Sequence, residues 1–447
     1  MNGQVAALWR ATVAHVPRDP FVHGPDALEI ARDGGLAIDA AGRVVAAGAF
    51  ERVRAEHGVA RVVDRRGAWI LPGFVDLHVH FPQTWIVASR GERLLDWLER
   101  YVFPEEAKYA DPAYARRAAT TFFDQLVRNG TTTALAFGSH DATATAIAFE
   151  EAARRRVRVA LGKTLHGRGA PAPLLDRPAE AADACRALIA DWHGRGKARY
   201  AVTPRFALTS TPDVFSLCRR LLAERPDLAV TTHVAENVEE IALTRAAFPE
   251  AAHYVDVYAR EGLLGPRTVL AHGVRLDDAE RRALRDAGAA LAHCPSSNFF
   301  LGSGVFDARA TAATGVRFGL GTDVGAGTGF SLLGECDHAY KASALRGGAP
   351  LGPAELLYLA TRAGAEALGG ADAFGDFAPG KAADFVVVDP SRDGYLAERT
   401  AAAPDDRDAL FALLVLARGA AVRETVIDGV AEFRADVRDD DAPVRPA

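Results

Sequence analysis

Cysteine is scarce in this chain: Cys185, Cys218, Cys294 and Cys336 are the four among 447 residues, and no two form a CxxC pair. Such spacing indicates neither a disulfide framework nor a cysteine-rich zinc site. No run of about 18 apolar residues occurs, so no transmembrane helix and no membrane partner are expected. Met1 to Arg10 lack the basic start and apolar core of a secretory signal. These absences together point to a reducing, cytoplasmic compartment. An excess of positive charge is also missing. Lys plus Arg is 52 and Asp plus Glu is 58, a net charge of −6, which argues against binding nucleic acid through bulk charge. A nucleobase is small and neutral, and charge does not exclude it.

What is present is an ordinary globular composition, 49% hydrophobic and 25% charged. The length allows one barrel with a smaller appended domain. Residues 1–70 and 376–435 both show short apolar strands between Gly, Asp and Pro turns, such as "GGLAIDAAGRVVAAG" (Gly34 to Gly48) and "PGKAADFVVVDP" (Pro379 to Pro390). "RETVIDGVAEFRA" (Arg423 to Ala435) predicts a hairpin across Asp428-Gly429. The simplest arrangement is one small composite β-sandwich domain built from both chain ends. The acidic, Pro-containing end at 436–447 is expected to be disordered.

Residues 71–375 alternate between short apolar runs and longer segments of helical spacing. Eight candidate strands begin at Gly73, Thr131, Val157, Arg199, Leu228, Arg267, Ala289 and Val316. Helices are expected between them, for example at Asp176 to Trp192, Pro212 to Glu224 and Asp277 to Ala287. That alternation predicts an α/β fold, a (β/α)8 TIM-like barrel rather than an open sheet. A long connection, Phe81 to Asp111, follows the first strand. Its Leu94, Leu95, Trp97 and Leu98 have helical spacing, suiting either a packed helix or a cover over a pocket.

Nearly every candidate strand stops at a chemically capable side chain. In a barrel those C-terminal ends ring one mouth, where active sites form. His78 and His80 are two apart on a strand and point to one side, a natural chelate for zinc or iron. His233 ends the fifth strand, His272 the sixth and Asp323 the eighth, so all five converge on one point. Glu236 follows His233 by three positions. Alone it suits a helix start, and beside a metal it becomes a candidate proton carrier. Gln83 and the pair Arg205-Phe206 lie just past strand ends and face the same mouth, as candidate substrate contacts. His140, His166 and His293 also end strands, with a structural role as open as direct contact. The remaining histidines fit no convergent geometry. Lys163 invites comparison with a carbamylated lysine bridging two metals, but Arg205 ends the fourth strand, so one metal is favoured. "GTDVGAGTG" lacks the GK[ST] of a phosphate loop.

"PGFVDLHVH", "THVAE", "LAHGV" and "GTDVG", in that order, resemble the amidohydrolase superfamily. "HVHFPQ", "LLDWLERYVFPEE", "TPRFALT" and "HCPSSN" resemble more narrowly its guanine deaminase family, departing from it at Val102 and in the aromatic "SSNFFLGSG". The resemblance implies one Zn2+ per subunit, with Fe2+ as the alternative ion, held by His78, His80, His233 and Asp323. It implies attack of a metal-activated hydroxide on C2 of guanine, yielding xanthine and ammonia. Glu236 would protonate N3, Asp323 would take the water proton, and His272 would steady the attacking oxygen. Gln83, Arg205, Phe206 and His272 would contact the purine, and the protein would be a homodimer. A sister deaminase acting on another amino-purine, a triazine or a pterin would share this chemistry and differ in its pocket residues. A barrel without catalysis is the reading of another class.

Overall fold

The computed structural model describes residues 5–58, 61–91 and 93–435. The segment 436–447, expected to be disordered, lies outside them. In chain order the strands are β1 (Val5–His15), β2 (Glu29–Asp39), β3 (Val44–Ala49), β4 (Val62–Pro72), β5 (Phe74–His80), β6 (Thr131–Phe137), β7 (Arg158–Gly162) and β8 (Thr164–Leu165). They continue as β9 (Ala198–Pro204), β10 (Ala229–Val234), β11 (Thr268–His272), β12 (Ala290–His293), β13 (Arg317–Leu320), β14 (Phe385–Val388), β15 (Val422–Ile427) and β16 (Val430–Arg434).

Strands β5, β6, β7, β9, β10, β11, β12 and β13 pair in parallel, each with the next. They correspond one for one to the eight strands expected from sequence. Past β13 the chain closes the ring. The Asp323 N–H donates to the His78 carbonyl at 2.8 Å, and the His80 N–H donates to the Val324 carbonyl at 3.2 Å. All seven residues of β6 are buried, as are all seven of β5, the mark of strands covered on both faces. Val75, Leu77, Leu135, Ala201, Val269 and Ala290 fill the lower barrel, while Phe74, Val79, Phe122 and Phe149 pack outside it against the helices.

The helices start where local chemistry lets them. Thr211 caps Pro212–Glu224 with proline in the first turn, and Asp277 with Glu280 forms a capping box on Asp278–Ala287. The helix expected from Asp176 begins instead at Pro178. Asp176 is held back in the loop, where it accepts the His166 N–H at 2.7 Å and pairs with Lys163.

A second sheet joins the two chain ends in the order β16-β15-β14-β4-β1-β2-β3. Trp9, Val13, Leu36, Ile70, Phe385 and Val426 form its core. The expected hairpin turns at Asp428 and Gly429, whose φ angles of 49° and 73° suit a two-residue turn with left-handed centres.

Candidate active site

A bulge in β5 aims the first two histidines. Asp76 pairs with Ala134 but Val79 with Ala136, so β5 carries one extra residue there. Val75 below the bulge and Leu77 within it face the barrel interior, as do His78, also within it, and His80 above it. Bulges beside active sites commonly re-aim side chains in this way. Asp76 anchors the turn of chain by accepting from the Thr322 N–H at 3.0 Å, the Thr322 hydroxyl at 2.6 Å and the His78 N–H at 3.2 Å. Ala235, His272 and Asp323 have φ angles of 45°, 71° and 48°. Such left-handed backbone at non-glycine positions is costly and tends to gather where function requires it.

Above the bulge the candidate ligands meet. His78 Nε2 lies 3.1 Å from His80 Nε2, which lies 3.2 Å from His233 Nε2. Asp323 Oδ1 is 3.2 Å from His78 Nε2 and 3.3 Å from His80 Nε2. One donor atom each from His78, His233, His272 and Asp323 also falls within 4.8 Å of the others, so five donors crowd one point. His233 Nδ1–H donates to the Arg205 carbonyl at 2.7 Å, which leaves its Nε2 as a bare lone pair aimed inward. Burial lowers His78 to about 3 and lowers His80 and His233 as well, so the imidazoles are neutral. Burial opposes charge on Asp323, but His78 and His80 hold its carboxyl well below the usual range. Three neutral imidazoles and a carboxylate about 3 Å apart suit bonds of about 2.0–2.1 Å to one shared cation. The donor set therefore fits a divalent metal.

Glu236 sits beside this cluster, with Oε2 3.5 Å from His272 Nε2. The Ser303 hydroxyl donates to its other oxygen at 2.9 Å. Burial raises its carboxyl above the ordinary range, which suits a group that takes and gives a proton. The backbone N–H groups of Glu236 and Asn237 donate to Glu240 Oε2 at 3.0 and 3.2 Å, fixing the loop. His272 Nδ1 faces Asn298 Oδ1 at 3.1 Å.

Leu94, Trp97, Leu98, Leu301 and Ala326 also line the pocket, whose atom-free space, including the part open to solvent, is about 430 Å³. The long connection after β5 forms consecutive helical turns, with a π turn at Leu98–Val102. It is both packed helix and cover: Trp97, Val102 and Phe103 join an apolar cluster with Phe206. Opposite the ligands, Arg205 Nη1 donates to both oxygens of Glu106 at 2.8 Å, and the Gln83 amide donates to Glu106 Oε1 at 3.1 Å.

Gln83, His80, Arg205, Phe206, His233, Glu236, His272 and Asp323 thus line one pocket, with His78 directly behind. His166 stands one layer back, 3.4 Å from Arg205 Nη1. Lys163 pairs with half-buried Asp176 away from the donors, and His293 stacks on Phe306. Sequence reasoning missed Glu106, Asn298 and Ser303. Glu105-Glu106 closes the helical turn Phe103–Glu106, and two adjacent acids directly after an apolar stretch were the available signal. Ser303 falls inside the "SSNFFLGSG" stretch that departs from the family pattern, whereas Asn298 ends the "HCPSSN" motif that resembles it.

A closed parallel barrel with buried histidines and an aspartate at its mouth is the architecture of a metal-dependent hydrolase. Residues 69–431 match the amidohydrolase family, and the chain belongs to that family. Within it the chain is similar to a probable guanine deaminase of Deinococcus radiodurans, 45% identical over 95% of this chain and 98% of the relative. The solved guanine deaminase of Escherichia coli superposes with a TM-score of 0.91 at 38% identity, covering 96% of this chain and 99% of that one. That of Bradyrhizobium japonicum gives 0.90 at 35% identity, covering 96% and 99%.

Proposed function

We propose that the protein is a hydrolase that deaminates guanine to xanthine and ammonia, using one zinc ion per subunit. The observation that carries this reading is a single buried pocket. Its one wall holds His78, His80, His233 and Asp323, and its other wall holds Gln83, Arg205 and Phe206. The similarity to guanine deaminases over nearly the whole chain supports the same substrate.

When bound, the ion supplies Lewis-acid activation of water at neutral pH. Asp323 accepts the proton released by the attacking water and later returns one to the leaving amine, so that ammonia departs. Glu236 delivers a proton to N3 as C2 becomes tetrahedral and recovers one from the C2 hydroxyl as ammonia leaves and the C2 carbonyl forms. Its raised affinity for protons fits that duty. His272 hydrogen-bonds the attacking oxygen and steadies its charge, with its ring held by Asn298. Arg205 donates to the purine, Gln83 reads a ring edge, and Phe206 packs near the ring face. The apolar cover of Leu94, Trp97 and Leu98 keeps bulk water from the bound base.

The protein is proposed to act as a cytoplasmic homodimer. Its four free, buried cysteines suit a reducing compartment, and among the described residues no helix is long and apolar enough to cross a membrane. Incubation with guanine, following xanthine by ultraviolet absorbance, tests the reaction. Elemental analysis distinguishes zinc from iron, and light scattering gives the subunit number. A panel of other amino-purines, triazines and pterins tests the sister-deaminase reading. Turnover of one of those with guanine left intact would replace the proposal.

A further inference from the structure

Glu106 is a carboxylate with 2% exposure inside the cover helix, and Gln83 and Arg205, its partners, are exposed by only 2% and 3%. Its two oxygens hold Nη1 of Arg205 at 2.8 Å each, and Oε1 also accepts from the Gln83 amide at 3.1 Å. A carboxylate can only accept hydrogen bonds. It therefore turns the NH2 of Gln83 toward itself and the carbonyl Oε1 away. That Oε1 lies against Gly325, where a Cβ would stand 2.6 Å from it, and it has no donor among the described residues. The guanidinium is sorted in the same way. Nη1 is engaged by Glu106, whereas Nε and Nη2 have no acceptor among the described residues. The pocket wall thus offers guanidinium N–H donors beside a carboxamide acceptor. It also offers no net charge, because Glu106 offsets Arg205 at contact distance in a site where Coulomb terms are strong.

We propose that Glu106 is a positioning residue that sets the hydrogen-bonding pattern of the base-recognition wall and keeps it electrically neutral, so that the pocket takes a neutral 2-amino-6-oxopurine in preference to its more acidic dioxo product. The proposal rests on the deaminase reading above. A ring carbonyl meets the free N–H groups of Arg205, and a ring N–H meets Oε1 of Gln83. Exchanging the amine for a carbonyl makes the product ring more acidic, so that it becomes an anion on the alkaline side of neutrality. An unpaired Arg205 would retain that anion, and the Glu106–Arg205 pair releases it.

The test compares wild type, Glu106→Gln and Glu106→Asp, with guanine as substrate, xanthine as inhibitor, and metal content measured alongside. For Glu106→Gln the KM for guanine should rise about tenfold, with kcat within about threefold and metal content unchanged. On the alkaline side of neutrality xanthine should inhibit this variant about tenfold more tightly than wild type, an effect that fades in acid where xanthine is neutral. Lost packing alone weakens both ligands, so opposite signs for the two distinguish positioning and charge from scaffold damage. A guanine KM within about twofold of wild type, or xanthine inhibition no tighter, overturns the proposal. Should Glu106→Gln fail to fold, Glu106→Asp serves. It keeps the charge but shortens the reach, so KM should rise about fivefold with xanthine no tighter. An unchanged KM or tighter xanthine there overturns the proposal. Wild-type protein that holds metal yet leaves guanine intact overturns the deaminase reading instead, before any variant is compared.

Discussion

The ring of His233 and the backbone of Arg205 are joined by one hydrogen bond, Nδ1–H to the carbonyl oxygen at 2.7 Å. The bond selects the tautomer that leaves Nε2 free toward His80. It also ties the end of β9, where the proposed base contact Arg205 stands, to the end of β10, where a candidate metal ligand stands. A shift in either strand end reaches both halves of the site.

Glu236→Gln preserves shape but removes the transferable proton. Guanine turnover should fall by about 10²–10⁴-fold while metal content and guanine binding persist. Steady-state kinetics, elemental analysis and calorimetry check the three separately. Near-normal turnover removes Glu236 from proton transfer.

Dialysis against a chelator should abolish turnover and lower the melting temperature, because an ion bound only to the folded state at about 1,000 times its Kd adds about 4 kcal/mol. Zinc added back should restore both. His80→Ala should bind the ion at least about tenfold more weakly. A chelated protein that still deaminates guanine at full rate would falsify the metal assignment.

Arg205→Ala strands the Glu106 carboxylate in a buried site. Breaking such a pair typically costs about 3–5 kcal/mol, so thermal unfolding should occur at lower temperature. The kcat/KM for guanine should fall by about a hundredfold. Adding Glu106→Ala should recover part of the stability and none of the guanine use. An unchanged kcat/KM in the single variant rejects the contact.

His293 supplies a pH test at a residue that is not one of the five donors, although the charge of nearby His272 adds to the effect of burial. Its ring is 1% exposed, stacks on Phe306 at 4.4 Å, and has no hydrogen-bond partner at either nitrogen among the described residues. Burial lowers its pKa from 6.5 to about 3. The unfolded chain therefore takes up a proton that the folded chain refuses. The stabilising contribution is intact above about pH 6.5 and is lost at about 1.4 kcal/mol per unit as pH falls toward about 3. Urea unfolding of wild type and His293→Leu across that range should show wild type losing stability faster in acid. A stability difference that does not vary with pH rejects a neutral buried His293.

The barrel was legible because its strands are short, mostly apolar runs buried on both faces, several of which stop at a histidine or another chemically capable side chain at the mouth end. Runs such as "LAVTTH" and "RTVLAH" carry that signal without any knowledge of their neighbours. The start of the helix at Pro178 rather than Asp176 was not legible, because that aspartate is held back by Lys163 and the His166 N–H, which flank the short strand β8 and meet it only once the intervening loop has folded.

Sequence alone determined which residue types end each strand, and therefore that imidazoles and a carboxylate gather at one barrel mouth. Residue spacing within a strand sets that, and β geometry repeats every two residues. Only the tertiary structure decided the bulge that turns His78 and His80 inward, the Glu106 bridge between Gln83 and Arg205, and the Ser303 hydroxyl on Glu236. Each of these depends on contacts between segments distant in the chain. Local pattern does not encode such contacts, because their free energy exists only once the barrel has closed and water has been excluded.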